Sequence, residues 1–233
     1  VISDFDNLGG TEKHLSKLIN ELKNNNLNAK LLVLRSASLD LIYSLDLKMQ
    51  DVVFPPKINQ IIHSIIPYNN YLKVYCGGLK MFLYVLFNKS KIIHFHLPTA
   101  ILVGVTICYF FNYKLFASRR SLNNYLINYS KWVNNYEKLL FNRCHTIIGN
   151  SNAVVHQLQS EVEHSDKVKL IYNGVENCEI KNKSNIRKKI RYSLNISNDD
   201  LVLIVVANFI SYKGHSFLVD SIAKIKHKLQ KNW

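Results

Sequence analysis

Short runs of valine, isoleucine and leucine alternate along this chain with longer stretches whose apolar residues recur at helical spacing, and few architectures accept that pattern. A parallel sheet with helices on both faces does, because its strands are buried on two sides and each parallel crossover needs a connecting helix. "VIS" at residues 1–3 reads as the stub of a first strand. A helix follows from Thr11 to about Asn25, with Leu15, Leu18, Ile19 and Leu22 at helical spacing, and then a strand over Ala29–Arg35. Together they make a βαβ unit.

Between Ser36 and Tyr75 the periodicity weakens, and "DVVFPP" is expected to be a strand stopped by Pro55 and Pro56. The pattern returns with strands at Lys91–His96, Tyr113–Ser118, His145–Ser151 and Lys167–Val175, and with helices at Thr99–Phe111 and from Leu126 to about Asn142. Another helix begins near Ser151 or Asn152, either of which can cap it. The longest apolar run, Ala100–Phe111, has 12 residues, too few to span a bilayer. After Val175 the chain turns polar and basic in "ENCEIKNKSNIRKK", a linker candidate. "LVLIVVAN" (201–208) is expected to be a fully buried strand and "GHSFLVDSIAKIKHKL" (214–229) a helix. The expected fold is therefore α/β: a Rossmann-like parallel sheet at 1–175, then at 176–233 a linker and the incomplete start of a second Rossmann-like domain.

Thirty Lys and Arg against 16 Asp and Glu leave a net charge of +14, which draws the chain towards phosphate on nucleotides, anionic membranes or nucleic acid. The lysines are dispersed and no nucleic-acid motif occurs, so nucleic acid is not an expected partner. Cys76, Cys108, Cys144 and Cys178 lie more than thirty residues apart with no Cys-x-x-Cys pair, so they read as free thiols. No metal is expected.

In an open parallel sheet, ligands collect beyond the carboxyl ends of the strands, and the punctuated motifs sit there. Gly9 and Gly10 bare the backbone at the start of a helix, where N–H groups can approach a phosphate or a sugar. Glu12 can accept hydrogen bonds from sugar hydroxyls. His94 and His96 are expected to face opposite sides of the sheet, with His96 the better ligand contact. Ser118, Arg119 and Arg120 end a strand, where a guanidinium can grip phosphate or carboxylate at two points. Asn150 and Asn173 stand in the turns "GNSNA" and "NGV". Lys213, followed by Gly214 at a helix start and preceded by Asn208, has the form of a phosphate grip.

In order and spacing, "NLGGTEKHL", "IIHFHLP", "SRRS", "IIGNSNAV", "VKLIYNGV" and "VANFISYKGHSFLVDSI" resemble the glycosyltransferases of family 4, which have the GT-B fold. The resemblance implies two Rossmann-like domains about a cleft, with the acceptor held mainly by the N-terminal one and the nucleotide sugar by the C-terminal one. It implies metal-independent transfer with retention of configuration, from a nucleotide-diphosphate sugar to a glycan or a polyprenyl or other lipid-linked acceptor, in surface polysaccharide or glycolipid synthesis. Gly9, Gly10, Asn208, Lys213 and Gly214 then lie on the donor phosphates, and Glu12, His96, Ser118, Arg119, Arg120, Asn150 and Asn173 on the acceptor or sugar. Many members carry a histidine where this chain has Ser118-Arg119-Arg120, and an arginine where it has Asn208. The family's paired glutamates are expected beyond Trp233, so the stretch is expected to be a fragment that does not transfer sugar alone. A hexosyltransferase-like enzyme, cytoplasmic and peripheral at the inner face of an anionic membrane, is the leading expectation. A degenerate sugar-binding or scaffold module and a basic nucleic-acid-binding domain are the alternatives.

Overall fold

The structure, a computed structural model, describes residues 1–65, 70–88, 92–109, 111–122, 131–175, 181–207, 209 and 213–228. The chain divides into two compact units, Val1–Val175 and Glu176–Trp233.

The first unit opens with β1 (Ile2–Phe5), α1 (Gly10–Asn24), β2 (Leu31–Ala37), α2 (Leu39–Ser44) and β3 (Val52–Val53). Next come α3 (Ile58–Ile65), α4 (Asn70–Phe87), β4 (Ile92–His96), α5 (Pro98–Cys108) and β5 (Lys114–Arg119). It closes with α6 (Lys131–Arg143), β6 (Thr146–Gly149), α7 (Asn152–Glu161) and β7 (Val168–Leu170). All strand pairs are parallel, in two ladders, β1-β2-β3 and β4-β5-β6-β7. Val1 joins them: its nitrogen donates to His94 O (2.6 Å), and the His96 N–H donates to Val1 O (2.9 Å). The spatial order is thus β3-β2-β1-β4-β5-β6-β7. Chain direction across the sheet reverses between β1 and β4, the switch point at which doubly wound folds leave a crevice.

β2 explains why the sequence reads as continuous apolar runs. Leu31 and Val33 point into one core with Leu15 and Ile19 of α1, whereas Leu32 and Leu34 point into the other with Met81 and Val85 of α4. Ile93, Phe95, Leu115 and Ala117 extend the second core towards α5, α6 and α7. α4 comes very close to β2: a Cβ on Gly77 would sit 2.0 Å from the Leu34 carbonyl oxygen.

Several expectations need correction. α4, 18 residues long, was not legible as a helix because it carries apolar residues on both sides. The strand expected at Lys167–Val175 is only Val168–Leu170. Residues 126–130 of the expected helix, and Lys91, lie outside the described residues.

In the second unit, α8 (Lys183–Ser193) occupies the end of the supposed linker, with Ile186, Ile190 and Leu194 spaced at i, i+4 and i+8. α9 (His215–Ile225) forms as expected. Residues 201–206, expected as a buried strand, have no strand hydrogen bonding, and their side chains are exposed, Ile204 to 78% and Val206 to 94%. The physical reason is the lack of a partner: no strand exists among the described residues of this unit for them to pair with.

Candidate functional site

The carboxyl ends of β1, β4, β5, β6 and β7 gather most of the residues singled out in the sequence. Gly9 is the N-cap of α1 in an extended conformation and Gly10 its first residue, with open space where a Cβ would be. The two glycines differ in their reason for being glycine. A Cβ on Gly9 would meet the Glu12 carboxylate at 2.5 Å, so Gly9 lets Glu12 fold back over the helix start, while Gly10 leaves the backbone bare. The positive dipole end of α1 has no side-chain cap on its N–H groups.

His96 ends β4 at the switch point. It and His94 were expected on opposite faces; they share one, because residues two apart on a strand point the same way, and their rings lie 4.0 Å apart. His94 Nε2 lies 2.7 Å from Ser118 Oγ on β5. Burial holds His94 neutral, its ionisation pushed down to about 3, and the Val1 amino group, Arg120 and His14 add to the effect. Burial, then His94, lowers His96 well below its ordinary value, and its Nδ1 has no partner among the described residues. The pair is therefore two neutral imidazoles in contact, tilted by 40°, at the foot of the crevice. The chain turns into α5 through Leu97, whose φ of 71° is strained for a leucine, and Pro98.

The two arginines have separate surroundings, because adjacent strand residues face opposite ways. Arg119 lies in the interior at 3% exposure, paired with Glu137 (3.1 Å) and Glu161 (2.7 Å) and stacked on Phe141 at 4.9 Å. It is turned away from the crevice, into the core under α6 and α7. Arg120 stays on the site: its Nη2 donates to Asn173 Oδ1 (2.6 Å), and Asn150 Nδ2 donates to the Arg120 carbonyl (3.1 Å). Three expected ligand residues from three strand ends are thus one hydrogen-bonded group. Burial lowers the Arg120 pKa and the charge of Glu12 opposes this, which ties the group electrostatically to the start of α1.

His14 was missed by sequence reasoning. Half-buried on α1, it is lowered by burial and by Arg120, and it acts in turn on both β4 histidines. Its spacing of i+4 from Gly10 was the available signal. Ser151 caps α7 as expected, accepting from the Val154 N–H at 3.3 Å. In the second unit, Gly214 is the left-handed N-cap of α9 (φ 72°), and Lys213 stands exposed beside it. Asn208 lies outside the described residues.

No group of three or more His, Cys, Asp or Glu positioned to hold a metal occurs among the described residues, and none of their helices is long and apolar enough to cross a membrane. Cys76, Cys108 and Cys144 are free; burial pushes the Cys108 and Cys144 thiols up to about 12, which keeps them protonated.

Residues 8–177 match the family described as Glycosyltransferase Family 4. Among solved structures, HepE of Anabaena in complex with UDP-glucose superposes with a TM-score of 0.70 at 18% identity, over 96% of this chain and 57% of that one. A glycosyltransferase from Rickettsia africae superposes with a TM-score of 0.64 at 15% identity, over 97% of this chain and 57% of that one. A UDP-N-acetylglucosamine 2-epimerase follows with a TM-score of 0.52 at 10% identity, over 83% and 59%. The chain therefore spans less than three fifths of the length of these structures. No curated protein matches the chain.

Proposed function

The chain belongs to glycosyltransferase family 4, and from that premise we propose that it forms the acceptor-side domain, and the beginning of the donor-side domain, of a retaining enzyme that moves a hexose-type sugar from a nucleotide diphosphate to a glycan or lipid-linked acceptor. The observation that carries the reading is the grouping at the switch point of the bare α1 N-terminus with the bonded trio Arg120, Asn150 and Asn173. Such a crevice offers fixed positive ends and amide groups to an anionic, hydroxyl-rich ligand. That HepE is seen with UDP-glucose supports a nucleotide sugar as donor.

During transfer, negative charge builds up on the departing diphosphate. Groups that are already oriented stabilise it without reorganising at the moment of reaction. In this reading Gly9 and Gly10 at the α1 N-terminus are donor-phosphate residues of the first unit, and Asn208, Lys213 and Gly214 are those of the second. Glu12, His96, Ser118 and Arg120 orient hydroxyls of the acceptor or the sugar. Arg119 acts only by holding the strand end that carries Arg120. No metal takes part, and the enzyme works at the inner face of the cell membrane in surface polysaccharide or glycolipid synthesis.

The test is transfer of labelled sugar from a panel of nucleotide diphosphate sugars to a cell membrane extract by the full-length natural protein, in buffer containing EDTA. We expect transfer with at least one donor, and a loss on the order of tenfold to a hundredfold in Arg120→Ala, the range expected for a hydrogen bond to a charged group. Absence of transfer with every donor, or full activity in Arg120→Ala, overturns the reading.

A further inference from the structure

Away from the switch point, a cavity of about 690 Å³ opens at the carboxyl ends of β2 and β3, where α3 and α4 begin. Its size suits a small ligand or a headgroup. Arg35, Lys57 and Lys73 line it together with the carboxylate of Asp6, and the Arg35 guanidinium is itself ion-paired with Asp4 of β1. Lys73 is 6% exposed, with Nζ 3.1 Å from His63 Nδ1, also on the lining. Asn59, 5% exposed, donates to the Leu34, Arg35 and Lys73 carbonyls, which fixes the cavity floor, and its Oδ1 has no partner among the described residues. Phe54, Pro55 and Pro56 supply an apolar wall.

The helices bounding this cavity carry aliphatic side chains into solvent. On α3, Ile58, Ile61 and Ile65 are 51–72% exposed at i, i+3 and i+7. On α4, Leu72, Tyr75, Leu79 and Leu83 are 40–71% exposed and share one side at i, i+3, i+7 and i+11. Exposed apolar stripes of this order mark contact with a protein or a membrane. Three features favour a lipid. The stripe flanks a cavity lined by Lys57 and Lys73, its isoleucines and leucines offer a glycan no hydrogen bonds, and the chain as a whole carries +14.

We propose that this cavity and the outer faces of α3 and α4 bind a phosphate-bearing membrane lipid, its headgroup against Lys57, Lys73 and Arg35 and its hydrocarbon along the aliphatic stripe. That the lipid is the sugar acceptor rests on the transferase reading; that it binds does not.

The experiment is co-sedimentation of the chain with phosphatidylcholine vesicles, and with the same vesicles containing one-tenth phosphatidic acid, without nucleotide sugar. The expected result is at least tenfold more binding to the phosphatidic acid vesicles, cut at least fivefold by Lys57→Glu and by Leu79→Asp, both exposed positions that leave the core intact. Lys169→Glu, the same charge change on β7, and Val206→Asp, in the exposed second-unit segment, are expected to leave binding within twofold. Equal binding to both vesicles, a loss in the Lys169 or Val206 variant as large as at Lys57 or Leu79, or abolition by millimolar inorganic phosphate overturns the proposal. Because no transfer is measured, a negative result removes the lipid site and leaves the transferase reading standing, while a failed transfer assay does the reverse.

Discussion

Arg119 and Arg120 are neighbours in sequence and opposites in circumstance, and each yields its own prediction. Removing Arg119 takes a buried cation away from Glu137 and Glu161, so Arg119→Ala is expected to lower stability by about 3–5 kcal/mol in urea denaturation. Arg120→Ala removes the hydrogen bond of this half-buried side chain to the exposed Asn173 and keeps the carbonyl that Asn150 bonds, so it is expected to change stability little while reducing transfer. If the two variants exchanged these phenotypes, the assignment of faces would be wrong. The pair "RR" gave no hint of this division; strand alternation does, once the strand end is located. A second residue-scale effect is pH-dependent. Burial pushes the Asp51 carboxyl up, but the hydrogen bond from Lys23 and the charges of Lys23 and Lys30 outweigh it and leave its pKa below 3.8. A carboxylate lowered in the folded state stabilises the fold fully above its unfolded value, and that contribution is lost as pH falls through the folded value. The gap in thermal midpoint between the wild type and Asp51→Asn is therefore expected to be constant from pH 7 to 5 and to close below about pH 4.

At the scale of elements, α4 shows where sequence reading stops. Its buried side, Lys73, Gly77, Met81 and Val85, and its exposed side, Leu72, Tyr75, Leu79 and Leu83, are both mainly apolar, so the 3.6-residue contrast that reveals α1 and α9 is missing. The contact that fixes α4 is equally invisible in sequence, because a glycine in a helix looks like a weakness. Gly77→Ala gains about 1 kcal/mol in intrinsic helix propensity, yet the added Cβ has only backbone to press against, at 2.0 Å from the Leu34 oxygen. Overpacking of this kind costs about 1–3 kcal/mol or more. The net change is expected to be destabilising, and an unchanged or raised thermal midpoint would show that α4 can lift off β2 at no cost. β4, β5 and β6, by contrast, were legible to within two residues at each end, because strands buried on two faces write themselves as unbroken apolar runs ended by Pro, Arg or Asn.

For the whole molecule, the strand order was beyond reach of the sequence, since periodicity identifies strands without saying which lie side by side. The β1–β4 adjacency rests on two hydrogen bonds through Val1, and that adjacency makes the glycine turn and His96 neighbours. The run 201–206 shows the reverse error: its composition is that of a central strand, but composition supplies no partners. The two hydrophobic cores draw every buried apolar residue they contain from residues 2–168, and none from the second unit. The first unit therefore holds what it needs for a cooperative fold, while the second carries Leu203, Ile204, Val205 and Val206 in water, a segment of high β-propensity without charge or proline. A chain ending at Val175 is accordingly expected to unfold in a single transition within about 3 °C of the main transition of the 233-residue chain, and to stay monomeric at concentrations where the longer one associates. Calorimetry and light scattering on both decide it. A shortened chain that fails to fold would mean that the first unit depends on residues after 175, and equal association of the two would move the sticky surface to α3 and α4.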